Sequence, residues 1–200
     1  MAVALKGLKG KILSRLRLQT RRDALWSLLG ALMGVALYIA LSPINLPGYK
    51  LMGMITVQFV PAILVIPLIS AFFGPTAGFL GGFLGSAGAD MLFGHQIIAL
   101  GIINLGYGLL GFLAGLPRYK DLASGRTLGK LLAFTMIGFA LLVIAYYTGL
   151  VYIAGQNQLP TLLYNLLPFA TTSLISLFLA TPVVARLIRL LANMVRANRL

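Results

Sequence analysis

The sequence predicts an all-α integral membrane protein, with six transmembrane helices in one bundle and both termini cytoplasmic. Three observations lead there. Apolar residues fill 60% of the 200 positions and only 10% are Asp, Glu, Lys or Arg, a balance that belongs to membrane proteins. Six apolar runs follow one another, each near the roughly 20 residues that cross a hydrocarbon core about 30 Å thick. Fifteen of the sixteen Lys and Arg residues fall where one side of those spans lies, and only Lys50 falls on the other.

The runs are 24–43, 51–73, 75–93, 96–117, 130–153 and 160–182. Helix-ending residues separate them: Pro43 and Pro47-Gly48, Gly74-Pro75, Gly94-His95, Pro117, Gln156-Asn157-Gln158 before Pro160, and Pro182. The first run is read as a retained span rather than a cleaved signal, because five more follow it. The cations cluster before span one (Lys6 to Arg22), between spans four and five (Arg118 to Lys130) and after span six (Arg186 to Arg199). With an even number of spans all three clusters reach one side, which the positive-inside rule makes the cytoplasm; five or seven spans would put one cluster outside. Residues 1–200 thus read as a single six-helix domain, multi-pass in the plasma membrane. Its basic cytoplasmic segments, 1–23 and 183–200, alternate apolar and basic positions and suit the anionic inner leaflet of the lipid bilayer.

The charge of +13 does not imply nucleic acid, because the cations are confined to short segments between apolar runs. The absence of cysteine rules out a disulfide framework. One His beside one carboxylate falls short of a zinc or nickel ligand set. There is no plausible Ser/His/Asp set, HExxH or P-loop. No catalytic residue, metal or cofactor is therefore predicted, and any energy from ATP must come from another polypeptide.

Span three carries Gly78, Gly81, Gly82, Gly85 and Gly88, which places small residues at i and i+4 in overlapping registers and lets neighbouring backbones approach. It is expected to be the central, protein-covered helix. Ser27, Gly30, Ala31 and Gly34 repeat the spacing on span one, either for packing inside the bundle or as a groove for another membrane protein.

Polar residues are sorted by depth. Gln58, Asp90, Asn104 and Asn165 fall in the outer half, with Tyr146, Tyr147, Tyr152 and Tyr164, whereas the inner half holds mainly hydroxyls such as Ser27, Ser70, Thr135, Ser173 and Ser176. A hydroxyl can bond the carbonyl one turn back, but a carboxamide or carboxylate needs a partner in hydrocarbon. The outer half must hold either a hydrogen-bond network or a wet cavity. Pro168 frees the carbonyl of Tyr164 beside Asn165, which suits a cavity wall or a kink satisfied by a neighbouring helix. Asp90 and His95 suit a cationic ligand or proton, or a cap near the surface. Interfacial-belt placement covers Tyr38 and Tyr152. Tyr146 and Tyr147 are adjacent, so at least one of them points into the bundle.

The stretch Phe72-Phe73-Gly74-Pro75-Thr76-Ala77-Gly78, continuing through the glycine-rich helix to Asp90, resembles the second-to-third helix hairpin of S components of energy-coupling factor (ECF) transporters. The resemblance is strongest over residues 56–115 and extends to the length, the six spans and a first outer loop carrying Pro43 to Tyr49. It implies a membrane subunit that captures a vitamin-like small molecule at the outer side. Delivery would then follow docking on a transmembrane coupling subunit driven by two ATPase subunits. By position in that family, Asn45, Asn104, Tyr146, Tyr147, Tyr164 and Asn165 would line the substrate site, joining Gln58 and Asp90 from depth. The family's docking pattern on the first helix has its nearest match in Ser27, Gly30, Ala31 and Gly34. The N-terminal metal-binding sequence of the nickel and cobalt members is absent. Lys50 would meet an anionic substrate group or stand solvated in the loop. A structural six-span protein of the MreD cell-shape type is the alternative, and it would need no cavity.

Overall fold

The computed structural model describes residues 20–44, 46–51, 55–93, 97–119 and 124–188. The outer parts of both basic terminal segments, together with Asn45, His95 and Gln96, lie outside the described residues. Among the described residues six helices run back and forth: α1 Arg21–Leu41, α2 Ala62–Phe73, α3 Pro75–Phe93, α4 Ile97–Gly115, α5 Gly125–Ile153 and α6 Gln158–Ile188. Of these, α1, α5 and α6 are long and apolar enough to cross a membrane.

Local chemistry accounts for the ends. Thr20 and Asp23 form a reciprocal capping box at the start of α1, satisfying two backbone donors that the first turn leaves open. Ser124 caps α5 by accepting from the Thr127 amide. Between α2 and α3 the chain reverses at Gly74, whose φ of 104° is open to glycine and to few other residues, and Pro75 then starts α3 with its fixed φ.

The expected second span departs from the sequence reading. Its outer part is a strand: β1 Leu46–Leu51 and β2 Ile55–Phe59 form an antiparallel ribbon, with Tyr49 opposite Val57 and Leu51 opposite Ile55. The cause is the run Ile55-Thr56-Val57, whose branched side chains favour extended backbone, followed by Pro61, where the helical conformation begins. Among the described residues the bundle is thus helical apart from this ribbon.

A second correction concerns the centre. The helix enclosed on all sides is α2, in which every residue from Ala62 to Ala71 is buried. Glycine-rich α3 buries only its small-residue face and leaves Leu80 and Leu84 exposed. That face does bring backbones together. A Cβ at Gly78 would stand 2.7 Å from the Gly111 carbonyl oxygen on α4, and one at Gly34 of α1 would stand 3.2 Å from the Gly81 Cα. On the far side, α6 packs on β2, α2 and α5, and the Val60 amide donates to Ser176 Oγ at 3.1 Å.

Candidate functional site

Alternating helix directions bring the ends of α1, α3 and α5 together with the starts of α2, α4 and α6, at the end of the bundle that carries the ribbon. Two chambers lie there. The smaller, about 310 Å³, is lined by Val60, Ile63, Tyr164, Asn165, Pro168, Phe169, Thr172 and Ser173. The larger, about 430 Å³, is lined by Ser42, Pro43, Ser86, Ala89, Asp90, Phe93, Ile103 and Asn104. Tyr38, Tyr107 and Tyr146 belong to both and form the wall between them.

The wall is an aromatic cluster. Tyr38 meets Tyr107 edge-on with ring centroids 5.8 Å apart, and their side chains share a hydrogen bond. Phe169 stacks flat on Tyr146, centroids 4.1 Å apart and planes within 3°, and meets Tyr107 edge-on at 6.5 Å. Edge and offset contacts of this kind hold the rings in place.

Helix distortion shapes the smaller chamber. Pro168 cannot donate to a carbonyl one turn back, and the preceding turn, Thr161–Leu166, is wound as π-helix. Further π-turns occupy Gly149–Ile153 and Ser176–Ala180. Such turns recur at functional sites because they re-aim side chains without ending the helix.

Five of the sequence-derived candidates converge here: Asp90 and Asn104 on the larger chamber, Tyr164 and Asn165 on the smaller, Tyr146 on both. Asn165 is already partnered, its Nδ2 donating to Gln156 Oε1 at 3.1 Å, and the Thr161 hydroxyl donates to the same oxygen. Asn104 is buried, and its Oδ1 has no hydrogen-bond partner. Tyr147 lines neither chamber and lies edge-on to Tyr152. Gln58 is placed in β2, the strand that leads into the smaller chamber's Val60.

The small residues of α1 are turned inward. Ser27, Gly30, Ala31 and Gly34 are buried, Ser27 Oγ donates to the Phe73 carbonyl at 3.3 Å, and a Cβ on Gly30 would run into the Phe73 ring. An open docking groove at this stripe is therefore not what the structure shows; the spacing serves α1 packing on α2 and α3. Sequence reasoning also missed several lining residues. Tyr38 passes for a belt residue, Ser173 for a self-satisfied hydroxyl, and Phe169 for ordinary core. Tyr107, a phenol deep in a span, was the available signal, since a buried hydroxyl seeks a partner.

Comparison with known proteins fits this architecture. The family described as "ECF-type riboflavin transporter, S component" matches residues 21–190. The chain belongs to that family. It is therefore a substrate-binding subunit of an ECF transporter and a multi-pass membrane protein, and the cell-shape alternative is not favoured. Among solved structures it is similar to the S component for biotin from an ECF-type ABC transporter. The two share 20% identity at a TM-score of 0.56, over 86% of this chain and 94% of that one, which is a likeness of fold. No curated protein matches by sequence.

Proposed function

We propose that this chain captures riboflavin or a closely related flavin from outside the cell. The pair of chambers across the tyrosine wall carries the reading. The larger, flanked by Ala89, Phe93 and Ile103, suits a flat tricyclic ring that stacks on the wall; the smaller offers the hydroxyl and amide groups of Tyr164, Asn165, Thr172 and Ser173 to a polyol chain. Volumes of about 310 and 430 Å³ fall within the range of small-molecule sites. Biotin fits less well, because its carboxylate tail would meet no cation among the described lining residues. The family description, which names riboflavin, points the same way.

The distribution of cations supports cytoplasmic termini, and so puts the ribbon end outside. The loaded subunit then docks on a transmembrane coupling subunit served by two ATPase subunits, and the flavin is released inward. Titration of the purified protein with riboflavin and with biotin, followed by uptake in cells with and without the coupling module, tests this. Saturable flavin binding and module-dependent uptake are expected. Binding of biotin in place of riboflavin would overturn the reading.

A further inference from the structure

We infer that Asn104 determines specificity by pairing its carboxamide with an adjacent N–H and C=O on the edge of a cyclic imide or urea. The inference rests on the flavin reading above, and it names which end of the ligand enters the larger chamber and what holds it there.

The first observation is an imbalance. Asn104 is 5% exposed, it lines the larger chamber, and its Oδ1 is buried with no hydrogen-bond partner. Buried acceptors are nearly always satisfied, so an unpaired one on a side chain that lines a cavity points to a donor that arrives with the ligand.

The second observation is that four of the neighbouring polar side chains already have partners within the chain. Ser86 Oγ donates to the Gly82 carbonyl at 2.7 Å, Ser42 Oγ donates to the Ile39 carbonyl at 3.0 Å, and the side chains of Tyr38 and Tyr107 share a hydrogen bond.

The carboxamide then selects the chemistry. It presents one N–H donor and one C=O acceptor side by side in a plane, and whichever way round it lies the complement is a neighbouring C=O and N–H. A pyrimidinedione edge, as on a flavin ring, carries that pair in a plane; a polyol does not. Phe93 and Ile103 on the same chamber provide apolar flanks for the ring behind such an edge. The flavin therefore enters head first, with its pyrimidinedione at Asn104 and its polyol toward Thr172 and Ser173.

The test compares riboflavin with N3-methylriboflavin, which lacks the imide N–H, by quenching of flavin fluorescence on the purified full-length chain and on Asn104→Leu. Methylation is expected to weaken binding to the unsubstituted protein about 10- to 100-fold. In Asn104→Leu, riboflavin should weaken by a similar factor and methylation should cost nothing more. An unsubstituted protein that binds both flavins equally overturns the inference and leaves the flavin reading standing, whatever the variant does. A methylation penalty of equal size in both proteins also overturns it. Failure of the unsubstituted protein to bind riboflavin at all overturns the flavin reading, and the inference with it.

Discussion

Helices α3 and α6 lie on opposite sides of the tyrosine wall and are built in opposite ways. In α3 the glycines bring the main chain against α1 and α4, and little can shift without a backbone collision. In α6 there is no glycine, two π-turns interrupt the hydrogen-bond register, Pro168 removes a donor, and Leu159, Leu162, Leu163 and Tyr164 are exposed. The larger chamber, with Asn104, adjoins the first kind of wall, and the smaller adjoins the second. A rigid wall suits recognition of a flat edge, where a small misplacement breaks paired hydrogen bonds. A wall whose helical register is interrupted by π-turns suits a flexible chain.

Substitutions separate the two walls. The largest effect is expected from Gly78→Val, whose Cβ would meet Ser70 as well as the Gly111 carbonyl. Overpacking against backbone should cost about 3 kcal/mol, read as a large drop in thermal midpoint in detergent. Phe169→Leu removes the stack on Tyr146 and should cost about 1 kcal/mol beyond the lost area, with weaker flavin quenching in the same titration. Pro168→Ala acts in the other direction. Restoring an ordinary helical residue should raise stability by about 1 kcal/mol or less, slow amide exchange over 161–168, and weaken flavin binding several-fold, because the distortion shapes the chamber. The smallest effect is expected at Gly129→Ala on α5, where nothing lies within 4 Å of the added carbon. Its midpoint should move by no more than about 0.5 kcal/mol equivalent. Equal losses at Gly78 and Gly129 would remove the distinction between packed and open glycines.

Much of this organisation is readable in the residues, and the exceptions have physical causes. Asp90, Asn104, Tyr146, Tyr164 and Asn165 were found by depth, because hydrocarbon penalises unpaired amides and carboxylates wherever they occur. Hydropathy cannot separate an apolar strand from a helix, so Ile55–Phe59 reads as part of span two although Pro61 marks the boundary. It also cannot tell protein-facing from lipid-facing residues when both surroundings are apolar, which hid α2 as the enclosed helix and Phe169 as part of the wall. The stripe of Ser27, Gly30, Ala31 and Gly34 announced a close approach without saying to what. Gly30→Leu is accordingly expected to disturb the fold through Phe73, rather than to act on a partner alone.

The central claim is that the two chambers are halves of one flavin site, and lumiflavin, which keeps the ring and lacks the polyol, tests it most directly. The measurement is the affinity of riboflavin and of lumiflavin for the unsubstituted protein and for Ser173→Ala, in one fluorescence titration. If the halves divide the ligand, the substitution weakens riboflavin binding and leaves lumiflavin binding unchanged. Equal weakening of both ligands, or of neither, would contradict the division.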